Sequence, residues 1–516
     1  MKYPIGIQTF SQIIENGYVY VDKTEYIYNL INQGKYYFLS RPRRFGKSLL
    51  LSTIEAVFQG RRELFDGLFI AGTDWKWEKH PVFHFMLNGQ DYSSVDRLDE
   101  KLGYYLGKWE EEYGIPDGST MSVAIRFTNL ISSVSEKTGR KVVILIDEYD
   151  QPLLQNVEQG KEELHQTMRQ HLQAFYSVMK AQDAYIQFAI LTGITKFSKV
   201  SVFSGLNNLN DITLDAQTNA LCGISESELT EYFSDSISTL ARAQEMTVEE
   251  TAERLKTEFD GYHFSKSGEG IYNPFSLLNT FRKNEFSHYW FESGTPSFLI
   301  KLLRSSDWLL SNISGCTCSE SELKGSDIYR SNPIPMLFQS GYLTIKGYDP
   351  EFKEYTLDYP NEEVAEGFSS DLLKSYSGIK NSESVIKQFI RAVRSGNADG
   401  FMAALQSLLS DVPYDQILNK ELHYENIMFL IMKLMGFYTH TEYKTSDGRI
   451  DMVIKTDRYI YIMEFKLHGT AEEAMSQIRA KDYVRPFAGE GREIILIGAA
   501  FSPDTRRLDS WLIEKD

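Results

Sequence analysis

Tyr36-Tyr37-Phe38-Leu39-Ser40-Arg41-Pro42-Arg43-Arg44-Phe45-Gly46-Lys47-Ser48 is the stretch on which the reading of this chain turns. Its first five residues form a short apolar run, the signature of a buried strand. A basic turn follows, and Leu49-Leu50-Leu51 opens a helix. Strand, turn and helix in that order make a phosphate-binding element, because backbone N–H groups at a helix start and one lysine can surround an anion while a following hydroxyl reaches its cation. Gly46, Lys47 and Ser48 end the turn as such a loop requires. The position five before Gly46 is Arg41 where a glycine is usual, and Pro42 removes one N–H donor.

About 100 residues later, Lys141-Val-Val-Ile-Leu-Ile146 is a β-branched run closed by Asp147-Glu148-Tyr149-Asp150. A continuous apolar run suits a parallel strand buried on both faces. A third run, residues 185–191, ends at Thr192-Gly193. Helices are expected over 23–35, 122–138 and 162–181, so the first 220 residues read as an α/β domain with a parallel sheet. In a site of this kind Arg43, Arg44, Phe45, Gly46, Lys47 and Ser48 would hold the phosphates of ATP. Ser48 and Asp147 would hold Mg²⁺, Glu148 would polarise water, and Thr192 would sense the terminal phosphate.

From Ser225 the pattern turns helical to about residue 340 and reads as a lid or winged-helix-like region, residues 221–345. A small hairpin is expected from residues 341–345 and 355–357, and residues 346–420 read as a linker of hairpin and helices. His263 and the cluster Tyr289-Trp290-Phe291 read as core of the helical region, with base stacking as the alternative for the aromatics. His165 and His171 stand six apart, the wrong spacing for a shared metal on one helix.

The segment 421–516 changes character again: helix 421–435, strands near 438–444, 449–455 and 459–467, helix 471–485 and strand 493–500. Asp451 and, after a short turn, Glu464 and Lys466 lie on neighbouring strands. Period two puts Glu464 and Lys466 on one face, within reach of Asp451. Two carboxylates at short range suit Mg²⁺, and a lysine beside them can orient water and stabilise a phosphorane. Glu425 on the preceding helix would add a third carboxylate, and Gln477 lies on the following helix.

Taken together, Tyr20-Val-Asp-Lys-Thr24, Ser40–Ser48, Ile144–Asp150, Leu191–Ser198, Phe203–Asn208, Asp260–Phe264, Tyr272–Phe275 and Tyr289–Pro296 make the chain resemble the bacterial AAA-ATPase-like family that carries a C-terminal PD-(D/E)XK nuclease-superfamily domain. The resemblance implies a P-loop NTPase sheet followed by a restriction-endonuclease-like α/β domain. It also implies that Asp451, Glu464, Lys466 and Gln477 match that superfamily's Asp…Glu-x-Lys motif and its following glutamine. Ile450 stands where the motif's proline would be.

The function expected is therefore an ATP-binding module coupled to Mg²⁺-dependent hydrolysis of DNA or RNA. The alternative is a non-catalytic, ATP-gated switch or binding module with an inactive nuclease fold. A net charge of −17 disfavours a broad basic grip on nucleic acid, so any such contact would be local. Three cysteines suggest reduced thiols. With no apolar leader and no run of about 20 apolar residues, a cytoplasmic protein without membrane contact is expected, with homo-oligomerisation left open.

Overall fold

In a computed structural model, residues 1–157, 160–196, 208–292, 297–305, 308–323, 332–378, 382–410, 420–436, 440–443, 451–466, 469–501 and 508–515 are described. They divide into two compact units, one of residues 1–294 and 314–363, the other of residues 295–313 and 364–516. The sequence boundaries at 220, 345 and 420 do not coincide with this division. Packing explains the difference on the N-terminal side: Phe45 of the phosphate loop meets Tyr262 and Phe264 of the middle region edge-on, with ring centroids 4.7 and 5.4 Å away.

In the first unit, β1 (Tyr36–Ser40), β2 (Val82–Met86), β3 (Val142–Asp147), β4 (Ile186–Gly193) and β5 (Asn210–Asp211) form one sheet in the order β2-β3-β4-β1-β5. Every pairing in it is parallel. All residues of β1 and β3 are buried, as two-sided helical cover demands of a parallel sheet. β2 and β5 escape the sequence reading, since β2 alternates buried with half-buried residues and β5 is two residues long. The helices Lys47–Phe58, Val123–Thr138 and Glu162–Ala181 stand where the sequence places them.

β6 (Ile224–Ser225) pairs with β7 (Ile271–Tyr272). Around this ribbon the helices Glu226–Ala243, Val248–Phe259 and Pro274–Lys283 bury Leu229, Phe233, Leu255, Phe259 and Phe281 in a common core. The first two start at capping boxes, Ser225 with Glu228 and Thr247 with Glu250, which satisfy N–H groups that no helical carbonyl reaches. The expected hairpin gains a third strand. β8 (Cys316–Ser319), in a region read as helical, pairs with β10 (Glu354–Asp358), which pairs in turn with β9 (Thr344–Asp349).

In the second unit, β11 (His440–Tyr443), β12 (Met452–Lys455), β13 (Tyr459–Lys466), β14 (Glu493–Phe501) and β15 (Leu508–Lys515) form a sheet in chain order. β13 and β14 run parallel, and the other pairs are antiparallel. The helix Ala471–Ala480 covers one face, packing Met475 and Ile478 on Val453, Ile460, Ile462, Ile494 and Leu496. The helix ends at Ala480, shorter than the expected 471–485, and β15 is an addition. Helices Glu362–Ser377, Ser382–Arg394, Ala398–Ser410 and Lys420–Gly436 fill the stretch read as helical. Residues 197–198, 203–207 and 293–296 of the sequence blocks quoted above, residues 438–439, 444, 449–450 and 467 of the expected strands, and the side chain of Glu425 lie outside the described residues.

Candidate functional site

Parallel pairing brings the carboxyl ends of β1, β4 and β3 side by side: Ser40 pairs with Gly193, and Ile146 with Leu191. Ligands of open α/β sheets bind at such ends. The phosphate loop leaves β1 there and enters the helix Lys47–Phe58. Arg44 at φ 67° and Gly46 at φ 93° are left-handed, which turns the loop tightly enough to gather its N–H groups. Among the described residues, no backbone N–H from Arg43 to Ser48 donates to a protein acceptor. Leu50 N–H, donating to Gly46 O at 2.9 Å, begins the internal ladder.

Carbonyls of the loop are held both from within it and from outside. Lys47 Nζ donates to the carbonyls of Arg41 and Pro42, both at 2.9 Å, and Gly223 N–H donates to that of Phe45 at 3.1 Å. Burial pushes the Lys47 ammonium below the ordinary lysine value, against the opposing pull of Asp147, Glu148 and Asp150. Ser48 Oγ donates to Asp147 Oδ2 at 2.5 Å, and Thr192 Oγ1 donates to Asp147 Oδ1 at 2.7 Å. Glu148 sits next to them at φ 53°, its carboxyl raised above the usual range by burial and by Asp147.

Other sequence candidates face elsewhere. The Phe45 ring is buried against Tyr262 and Phe264, so only its backbone fronts the loop. The Arg44 guanidinium lies over the Phe275 ring at 4.8 Å, while Arg43 is half-buried. Arg41, at the usual glycine position, is buried. It donates to the carbonyls of Ser40, Thr213 and Thr218 at 2.8–2.9 Å and stacks on Phe264 at 4.1 Å, so it braces the loop from beneath.

Two supports went unread in the sequence. Asp150 accepts from Ile194 N–H, Thr195 N–H and Thr195 Oγ1 at 2.7–2.9 Å, pinning the end of β4. Its signal is a second acid three residues after Asp147. Trp290 donates its indole N–H to Arg43 O at 3.0 Å, whereas the sequence marks it only as one of the Tyr289–Phe291 aromatics.

The second site grows from the register of β12 and β13. Met452 pairs with Met463, so one residue further Asp451 stands opposite Glu464. Asp451 Oδ2 accepts from Phe465 N–H at 2.9 Å. Lys466 Nζ donates to Glu464 Oε1 at 3.2 Å and also to Gln477 Oε1, while Gln477 Nε2 donates to Glu464 Oε1. Gln477 reaches the pair because Gly498, beside Glu464 on β14, lets the helix Ala471–Ala480 lie close. A Cβ there would stand 2.6 Å from both Ala471 O and Met475 N. A glycine inside an apolar strand is the signal for such an approach.

The surface ion pair that the motif alone would permit is not what the fold makes, since Glu464 is 2% exposed. Its Oε2 is buried without a hydrogen-bond partner among the described residues. Burial raises both carboxyls above the ordinary range; Asp451 adds to the shift of Glu464, and Lys466 opposes both. An unpaired buried carboxylate oxygen facing a second acid is costly without a cation, so the donor set fits a divalent ion. Among the described residues, no three His, Cys, Asp or Glu side chains cluster as metal ligands.

Comparison with known proteins identifies two segments of the chain. Residues 4–203 match the family described as AAA-ATPase-like, predicted AAA-ATPase, and residues 419–511 match the PD-(D/E)XK nuclease superfamily. A protein of Azotobacter chroococcum mcd 1, described as an uncharacterized protein in the vnfD 5' region, is 35% identical over 530 residues and covers 99% of each chain. The chain belongs to the AAA-ATPase-like family and ends in a PD-(D/E)XK nuclease-superfamily domain. No solved structure matches. In this AAA-ATPase-like protein the first site lies within the first matched segment and the second site within the other. No helix among the described residues is long and apolar enough to cross a membrane.

Proposed function

We propose that the chain binds ATP with Mg²⁺ at the phosphate loop and hydrolyses phosphodiester bonds of DNA or RNA at the Asp451–Glu464–Lys466 site. The observation that carries the first half is the run of N–H groups from Arg43 to Ser48 without protein acceptors among the described residues, closed by Lys47 and the Ser48–Asp147 bond. N–H groups gathered at a helix start are an anion site, and Lys47 adds the charge a triphosphate needs. Ser48 and Asp147 would hold the cation that accompanies it. Beside Gly46 opens an apolar hollow lined by Val21, Leu49, Leu221, Ile224 and Phe233. Its apolar walls suit the face of a nucleobase.

At the second site Asp451 and Glu464 would hold a divalent ion, which supplies charge neutralisation and a more acidic bound water when present. Lys466 keeps its ammonium within reach of the same space, where it can orient water and meet the charge that develops on phosphate. Gln477 fixes both Glu464 and Lys466.

The test uses the full-length chain. Calorimetry with Mg-ATP should give heat of binding, and plasmid DNA, single-stranded DNA and RNA should be tried with and without Mg²⁺ and ATP. Mg²⁺-dependent cleavage that disappears in Asp451→Ala and Lys466→Ala supports the reading. Cleavage that survives in either variant overturns it. A second reading, an ATP-gated binding module without catalysis, draws on the absence of a third metal ligand among the described residues. Sustained phosphate release with strand cleavage counts against that reading.

A further inference from the structure

Trp290, Ser276 and Glu363 form a buried polar group that none of the chemistry above uses. Trp290 is 6% exposed, and Ser276 and Glu363 are 0% exposed. The Trp290 backbone N–H donates to Glu363 Oε1 at 2.9 Å and approaches Ser276 Oγ at 3.1 Å. Ser276 Oγ stands 2.8 Å from both Glu363 oxygens and donates to that carboxylate. The Trp290 ring packs against Tyr342 with centroids 5.4 Å apart, and its indole N–H reaches Arg43 O of the phosphate loop. A carboxyl group is thus held in the interior by hydrogen bonds from residues 73 and 87 positions earlier in the chain, and it would be costly to bury without them.

Peptide planarity turns this contact into a statement about the anion site. In a trans peptide the N–H points opposite to the preceding C=O. Holding Arg43 O toward the indole therefore aims Arg44 N–H away from it, as Gly223, by holding Phe45 O, aims Gly46 N–H. Two of the loop donors are oriented by what grips the carbonyl behind them. Were the Arg43–Arg44 peptide free to rotate, the loop would lose part of its preorganisation before any phosphate arrived.

Connectivity gives the group a second role. Glu363 is the last residue of the first unit before the chain passes into the second at Val364. It is also the second residue of the helix Glu362–Ser377, whose remaining residues from Val364 belong to the second unit. Trp290 lies four residues before the other departure, between residues 294 and 295. The hydrogen bond between Trp290 and Glu363 thus ties together the segments that precede two of the crossings, and the same tryptophan grips the phosphate loop.

We propose that Glu363 and Trp290 are positioning residues that set the phosphate loop for its ligand and pass its occupancy to the helix leading into the nuclease-superfamily unit. This rests on the reading that the loop binds nucleotide. An occupied loop holds the Arg43–Arg44 peptide in one orientation, which keeps the indole hydrogen bond and, through the Trp290 backbone, the Glu363 carboxylate in place. An empty loop leaves that peptide less restrained, and the start of the helix Glu362–Ser377 with it.

The experiment takes the full chain as wild type, Trp290→Phe, Glu363→Gln and the double variant. Trp290→Phe keeps a six-membered aromatic ring in the site and removes the indole donor together with the fused five-membered ring; thermal melts confirm which variants are folded. Mg-ATP affinity is measured by calorimetry, and amide hydrogen exchange of the helix Glu362–Ser377 is followed with and without Mg-ATP. Wild type is expected to bind and to slow exchange in that helix. Each single variant is expected to bind roughly three- to tenfold more weakly, the size of one hydrogen bond, and to lose the exchange response. The double variant should be no weaker than the worse single one, because the two residues act in series. No heat from wild type overturns the nucleotide reading itself. Wild-type binding with unchanged affinity and exchange response in folded Trp290→Phe overturns the relay alone.

Discussion

Ser48 and Asp147, 99 residues apart in sequence, share a hydrogen bond of 2.5 Å across the carboxyl edge of the parallel sheet. Thr192 holds the other oxygen of the same carboxylate at 2.7 Å. Three chain segments that the sequence presents separately thus converge on one acid, at the mouth of a loop whose N–H groups from Arg43 to Ser48 have no protein acceptor among the described residues.

That convergence sets the first expectation. Ser48→Ala removes one donor to Asp147, and Asp147→Asn removes the charge. Both should weaken Mg-ATP binding about 10- to 100-fold, the range for hydrogen bonds to charged groups. Both should affect ATP without divalent ion far less. Calorimetry with Mg²⁺ and with a chelator reads the difference, and an equal loss in both conditions would show that the pair serves the loop rather than the cation.

Arg41 gives a prediction opposite in kind. Its guanidinium satisfies three buried carbonyls, and burial has pushed its pKa down to about 10, still well above neutrality. Replacing it by glycine, the residue usual at this place in phosphate loops, should not improve binding. Arg41→Gly leaves those carbonyls without donors and opens a void over Phe264, at a cost of about 2–4 kcal/mol. A thermal melt of the variant should fall by several degrees; an unchanged melt would mean the arginine is not a brace.

Much of this could be seen in advance where chemistry and periodicity coincide. β1, β3 and β4 are apolar runs closed by polar residues, and Glu464 with Lys466 is a two-residue repeat on a strand, so both sites were legible. Arg41 shows in the sequence only as a departure from the usual glycine, because its partners, Thr213 and Thr218, lie more than 170 residues away. Trp290 looked like ordinary core for the same reason: its indole partner is 247 residues distant. Local pattern reports which residues face inward. It does not report which polar atom of an inward residue finds a partner from another part of the chain.

Gly498 is a case in which a missing side chain positions others. Glu464, Lys466 and Gln477 meet because the helix Ala471–Ala480 rests on the glycine. Gly498→Val places carbon atoms where Ala471 O and Met475 N stand, so the helix must lift and Gln477 must leave the pair. The chain should remain folded in its first unit, with Mg-ATP heat retained, while Mg²⁺-dependent cleavage falls at least tenfold. Cleavage at wild-type rate would remove Gln477 and the close approach from the account of the site.

The acidity of Asp451 and Glu464 makes the last expectation one of sign. Both carboxyls are raised by burial above ordinary values of about 3.9 and 4.3, and Lys466 offsets only part of that. A carboxyl with a raised folded pKa contributes stability that is complete below its unfolded pKa and is lost as pH rises through the folded one. Without divalent ions, the contribution of these groups to stability should therefore decline as pH climbs from about 4 toward neutrality. Glu464→Gln cannot ionise, so it should flatten the decline and be the more stable protein at neutral pH without metal. Mg²⁺ needs the deprotonated pair and should raise the wild-type melting temperature at neutral pH, but not near pH 4 and not in Glu464→Gln. Melts across this range, with and without Mg²⁺, decide the matter. Wild type and variant with parallel pH profiles would mean that Glu464 carries no buried charge for a cation to relieve.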